Sequence, residues 1–216
     1  MIDLVNVRLV DLSKKLQPGI EKHDGTYLHG TELRRLELRE FIFAGDNTYM
    51  CWVETETHIG THVEGPSHYL KGEKDIASLP LENFIGEALV IALTHKKPNE
   101  SIRPNDLEGV NQGDIVLLFA SKNYKMEERP YIAPDAAEYL YEKRIKMLGI
   151  DDSISVEAPG SMATHDFLLR NDIPIIEGLD NLQALTKQRF FFIGFPLRIA
   201  GLDSSWIRAV ALEEAD

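Results

Sequence analysis

The sequence predicts an α/β domain with a mixed central sheet and few helices, and three observations lead there. Short continuous apolar runs, such as Leu89–Leu93 and Asp114–Phe119, have the length and composition of strands buried on both faces. Alternating segments, clearest over Thr31–Phe43, have the period of strands buried on one face. Helical spacing is confined to two or three segments.

Taken in order, the opening Met1–Val10 alternates like a strand rather than carrying the basic-then-apolar pattern of a signal peptide, and Arg8–Leu12 reads as the first sheet strand. In Thr31–Phe43 the apolar Leu33, Leu36, Leu38 and Phe41 interleave with charges. Tyr49–Thr57 is a further strand, and Cys51 within its apolar stretch reads as a small buried hydrophobe. Leu79–Phe84 forms a short helical turn. Leu89–Leu93 and Asp114–Phe119 supply the buried centre of the sheet, the latter entered through a Gly-Asp turn. Pro134–Arg144 has proline near a helix start, followed by Ala136, Ala137, Leu140 and Tyr141 at helical spacing. Lys146–Ile150 is a short strand, and Ser161–Asn171 is a second helix with asparagine at its stop. Pro174–Glu177, Phe190–Gly194 and Ile207–Leu212 complete the sheet. One domain over residues 1–216 accommodates all of this.

Composition excludes several functions. Lys plus Arg number 23 against 35 Asp plus Glu, a formal charge of −12, so a polyanion such as nucleic acid is not an expected partner. A single cysteine excludes an internal disulfide and a thiolate zinc site. No apolar run reaches membrane-spanning length, so a cytoplasmic location without membrane attachment is expected. The first strand is not followed by G-x-G-x-x-G, and neither a P-loop nor a G-x-S-x-G elbow occurs.

Chemistry concentrates in one segment. Three of the seven histidines, His58, His62 and His68, fall within eleven residues, with Glu64 between them. Imidazole and carboxylate ligands suit zinc, manganese or iron, and two His plus one carboxylate with a position left for water is a catalytic pattern. A straight strand would hold His58 and His62 about 13 Å apart, at roughly 3.3 Å per residue, too far for one ion. A bend at Gly60 resolves this by returning His58 towards His62. Pro66 then rigidifies the turn that brings His68 near without adding it to the same ligand set. Downstream, His165 lies in the second predicted helix, and Glu177 is set in an apolar strand, where a carboxylate is costly unless paired or metal-bound. His23, His29 and His95 read as loop residues.

The segment His58-Ile59-Gly60-Thr61-His62-Val63-Glu64-Gly65-Pro66-Ser67-His68 resembles the signature of the cyclase family of metal-dependent hydrolases, H-x-G-T-H-x-D-x-P-x-H, which includes kynurenine formamidases and isatin hydrolases. Weaker matches follow in the family's order: Asp11-Leu12-Ser13, Leu79-Pro80-Leu81-Glu82, Gly113–Leu118, Gly149-Ile150-Asp151, His165–Leu169, Ile176-Glu177 and Phe192–Leu197. The resemblance implies a swivelling β/β/α fold, a homodimer or homotetramer, and one or two zinc or manganese ions. It also implies that His58, His62 and Glu64 hold the first ion and that Glu64, His165 and Glu177 complete the second. His68 would be the catalytic acid/base, with Glu177 counted beside it. Two positions depart from the pattern: Glu64 stands where the family has Asp, moving the carboxylate by more than about 1 Å, and Glu157 stands where an Asp is usual.

The expected activity is hydrolysis of an amide or formamide of the N-formylkynurenine type by metal-activated water, with His68 protonating the leaving group. The alternatives are a hydrolase of lactones or cyclic amides such as isatin, a metal-dependent ring-closing or dehydrating enzyme, and a non-catalytic metal- or small-molecule-binding protein.

Overall fold

The computed structural model describes residues 6–20, 22–23, 26–27, 35–120 and 124–214. Expectations for Met1–Val5, His29 and Thr31–Arg34 lie outside the described residues. The strands in chain order are Val7–Asp11 (β1), Gly19–Ile20 (β2), Lys22–His23 (β3), Thr26–Tyr27 (β4), Arg35–Phe43 (β5), Thr48–Thr55 (β6), His62–Glu64 (β7) and Ile85–Ala92 (β8). They continue with Ser101–Ile102 (β9), Ile115–Phe119 (β10), Tyr131–Ile132 (β11), Met147–Asp151 (β12), Ile175–Leu179 (β13), Arg189–Ile193 (β14), Ser204–Trp206 (β15) and Val210–Glu214 (β16). Pro66–Tyr69 (α1), Pro134–Glu142 (α2) and Ala163–Leu169 (α3) are the α-helices among the described residues.

Nine strands form one mixed sheet in the order β1-β16-β14-β8-β10-β12-β13-β7-β15. Its centre, β8-β10-β12-β13, is parallel, and the strands on either side run antiparallel. The continuous apolar runs are buried on both faces because alternate residues enter different cores. Leu89, Ile91, Val116, Leu118 and Leu148 meet Ala136 and Leu140 of α2 and Leu168 of α3 on one side. Ala88, Val90, Ile115, Leu117 and Met147 meet Leu12, Phe84 and Phe192 on the other. Each fully buried side chain of this size contributes about 1.5–3 kcal/mol, so the double-faced centre is the stable scaffold on which β7 is mounted. No helix among the described residues is long and apolar enough to cross a membrane.

Several element boundaries differ from expectation. The helices are shorter than Pro134–Arg144 and Ser161–Asn171, and Leu81–Phe84 is a 3-10 turn. Of the strand expected over Ile207–Leu212 only the second half is strand, within β16, while β15 just before it lies towards the opposite end of the large sheet. Cys51 is exposed, not buried. It sits in β6, which pairs with β5 along its whole length in a ribbon outside the large sheet, so apolar residues there have no core to enter. Leu38, Ile42, Tyr49, Trp52 and Val53 of this ribbon are exposed.

Candidate metal centre

The six residues of the candidate site come from five parts of the chain: a loop, β7, α1, α3 and β13. The segment 56–61 leads from the ribbon into β7 and carries His58. The strand β7 supplies His62 and Glu64, and α1 supplies His68. Gly60 takes φ +63°, and this is the bend that returns His58 towards its neighbours, leaving the His58 and His62 ring centroids 5.1 Å apart. The bend is pinned by Thr61, whose Oγ1 donates to the Gly178 carbonyl at 2.6 Å. Gly178 itself has φ +68°, and a Cβ there would lie 2.3 Å from the Gly60 oxygen, so this crossing of loop and β13 admits only glycine.

The strand β7 lies between β13 and β15, with Glu177 opposite His62 on one side and Trp206 opposite His62 on the other. Residues separated by over a hundred positions are thereby brought to one point. His165, expected in the second helix, is in α3 and buried.

Four imidazoles face the buried carboxylate of Glu64. His58 Nδ1 is 3.0 Å, His68 Nε2 3.6 Å and His62 Nε2 3.7 Å from Glu64 Oε1. His165 Nε2 is 3.3 Å from Glu64 Oε2. Every ring is held by its other nitrogen. Gly60 O accepts from His62 Nδ1 at 2.9 Å, Glu157 Oε1 pairs with His165 Nδ1 at 2.8 Å, and Asp203 Oδ2 pairs with His58 Nε2 at 2.8 Å and His68 Nδ1 at 3.3 Å. Outward nitrogens are thus occupied and inward ones converge, the arrangement in which an outer acceptor orients a metal-ligating imidazole.

Electrostatics point the same way. Burial raises the Glu64 carboxyl, but the contacts with His165, His58, His62 and His68 outweigh it and hold Glu64 well below the usual carboxylate range. Burial lowers His58, yet the Glu64 and Asp203 carboxylates raise it to about 9. Burial likewise lowers His165, and Glu157 with Glu64 raise it to about 10. Asp203, raised by desolvation, is brought down to about 2 by His58, His68 and Thr57. The ion-free protein therefore gathers protons around Glu64 to balance its charge.

A divalent cation fits this donor set. His62 Nε2 and Glu64 Oε2 are buried and have no hydrogen-bond partner among the described residues. Such orphans cost about 1–3 kcal/mol each, a cost that coordination removes. Ligand atoms of His58, Glu64 and His68 lie within 4.8 Å of one another, as do those of His62, Glu64 and Glu177, so Glu64 is common to both groups. Despite its extra methylene relative to the signature's Asp, Glu64 reaches all four imidazoles.

The Cyclase family model matches residues 10–158. The chain belongs to the Cyclase family. Kynurenine formamidase of Erythrobacter litoralis is 29% identical over 215 residues, covering 97% of this chain and 95% of that one. Kynurenine formamidase of Maricaulis maris is 30% identical over 195 residues, covering 80% and 91%. Among solved structures, a potential metal-dependent hydrolase with cyclase activity superposes with a TM-score of 0.79 at 24% identity, covering 97% of this chain and 99% of that one. Isatin hydrolase A from Labrenzia aggregata gives 0.78 at 20% identity, covering 97% and 95%. At these identities the superpositions establish a shared fold.

In this Cyclase-family chain the structure brings together all six residues singled out from the sequence: His58, His62, Glu64, His68, His165 and Glu177. It groups them differently from the expected two sets, placing His68 beside His58 and Glu64, with ring centroids of His58 and His68 4.3 Å apart. Two residues of the site were not anticipated. Glu157, noted only as a departure from the family pattern, accepts from His165. Asp203 precedes β15 with nothing in its sequence neighbourhood to mark it. His95, read as a loop residue, is exposed in a turn 3.8 Å from Asp106.

Proposed function

We propose that this protein is a metal-dependent hydrolase of C–N bonds outside peptides, acting on arylformamides of the N-formylkynurenine type. The observation that carries the reading is the buried His62 Nε2, unpartnered and aimed with three other imidazoles at Glu64. The two formamidases similar to this chain over nearly their whole length support the substrate class. Zinc or manganese, as one or two ions, suits the mixed imidazole and carboxylate donors.

His58, His62, Glu64, His165 and Glu177 would hold the metal, with Glu64 shared between two positions. When bound, a divalent ion supplies Lewis acidity, lowering the pKa of a coordinated water towards about 7 and stabilising negative charge on the substrate carbonyl oxygen. Hydrolysis joins the water oxygen to the formyl carbon, breaks the C–N bond and yields formate and the amine. The amine must leave with a proton, and His68 is placed to give it. His68 is the most accessible imidazole of the cluster, with 30% of its side chain exposed against 14% for His58 and 7% for His165. An imidazole gives and takes protons near neutrality, as the transfer requires.

The reading is tested by elemental analysis of protein purified without chelator or affinity metal, followed by an N-formylkynurenine assay on the same sample. One to two zinc or manganese ions per chain with turnover supports it. Protein that binds neither metal on addition refutes the metal centre, and metal without arylformamide turnover refutes the substrate class.

We also propose a homodimer or homotetramer. Support comes from the sheet β2-β5-β6, which lies outside the large sheet and exposes Leu38, Ile42, Tyr49, Trp52 and Val53 to water, an apolar surface of the kind that marks an interface. Sedimentation at a mass of two or four 24.4 kDa chains is the expected result, and a monomer at micromolar concentration overturns it.

A further inference from the structure

One carboxylate touches two of the imidazoles from outside the cluster. Asp203 Oδ2 lies 2.8 Å from His58 Nε2 and 3.3 Å from His68 Nδ1, while its Oδ1 accepts from Thr57 Oγ1 at 3.0 Å. The backbone at and before Asp203 is held by Gly65 of the signature segment and by Asp75 and Ile76 beyond it. The Asp203 carbonyl accepts from Gly65 N–H at 2.9 Å, the Leu202 carbonyl accepts from Ile76 N–H at 3.0 Å, and Gly201 N–H donates to Asp75 at 2.6 Å.

An ionised carboxylate only accepts, so the two nitrogens facing Asp203 carry protons. The opposite nitrogens, His58 Nδ1 and His68 Nε2, are thereby turned towards Glu64. We propose that Asp203 is a positioning residue shared by the two histidines, fixing the tautomer and aim of His68, the proton donor, together with those of His58 in the ligand set. This assignment rests on the role given to His68 above. Because both rings bond the same oxygen, a displacement of Asp203 releases both.

The test uses zinc-saturated protein and the variants D203A, D203N, H68A and D203A/H68A. Imidazole nitrogen–proton correlation NMR should show His68 protonated at Nδ1 in the native protein and shifted towards the Nε2–H form in D203A; an unchanged tautomer overturns the proposal. D203A should keep the native number of ions at saturating zinc, whereas loss of an ion makes Asp203 a ligand and also overturns it. On formanilide, D203A should lower kcat about 10–100-fold, the usual effect of removing an outer acceptor. On 4-nitrophenyl formate, whose leaving group needs little protonation, the loss should be smaller. D203A/H68A should be no slower than H68A, as expected of residues acting through one another. Equal losses on both substrates, or additive losses in the double variant, overturn the assignment. If D203A fails to fold, D203L, which fills the space without an acceptor, carries the same measurements, and D203N, which keeps one acceptor, should retain part of the native tautomer and rate. A native protein that turns over neither substrate refutes the proposed function, and the NMR result still decides Asp203.

Discussion

Glu157 Oε1 accepts from both the backbone N–H and the Nδ1 of His165, at 2.9 and 2.8 Å. One oxygen thus fixes the position of the helix turn and the orientation of the ring it carries. Replacing Glu157 by Ala should weaken ion binding at His165 by about 10–100-fold, as for other outer acceptors, while Glu157→Gln should retain part of it. Zinc titration against a competing chelator measures this, and native affinity in both variants would remove Glu157 from the site.

His62 and His68 should separate metal binding from turnover. His62→Ala removes a proposed ligand, buried in the structure, and should lose both metal and activity. His68→Ala should keep metal and lose kcat by about 10²–10⁴-fold, the range for a general acid. Elemental analysis and steady-state kinetics on the two variants read this directly. Full metal occupancy in His62→Ala would contradict the ligand assignment.

Metal uptake should release protons. His58 and His165 titrate near 9 and 10 in the ion-free protein, so both carry a proton at pH 7 that a metal must displace. The sign follows: both folded values lie above the unfolded value near 6.5, so their contribution to ion-free stability is full below that pH and lost as pH rises through 9 to 10. Metal affinity should instead rise with pH across neutrality. Calorimetry of zinc binding in buffers of different ionisation enthalpy counts the protons, and a count of zero would refute the exchange.

Gly178 should tolerate no side chain. Gly178→Ala combines a left-handed backbone, costing about 1–2 kcal/mol, with a Cβ driven against the Gly60 oxygen, and a total near 2–5 kcal/mol is expected. The midpoint of urea unfolding reports it. A change below about 0.5 kcal/mol, ordinary for a free surface position, would show that the crossing is not a constraint.

What the sequence revealed depended on how local each feature was. His58 to His68 could be read as a unit because Gly60 folds one short segment onto itself. Two of the four central parallel strands, β8 and β10, were legible from continuous apolar runs, since burial on both faces favours apolar residues at successive positions. Asp203 was not legible, because it reaches His58 across 145 residues through the pairing of β15 with β7, and no periodicity encodes that. Cys51 was misjudged for a related reason: an apolar alternating segment looks the same whether its neighbour is a core or solvent.

The three-residue strand β7 is held between β13 and β15, both far downstream of it. During synthesis the signature segment leaves the ribosome long before either neighbour exists. A nascent chain ending short of β15 carries every histidine of the cluster but has neither the strand that fixes one side of His62 nor the Asp203 carboxylate. The complete surroundings of His62, and the carboxylate that holds His58 and His68, can therefore close only through contacts of high sequence separation, which are the slow ones to form.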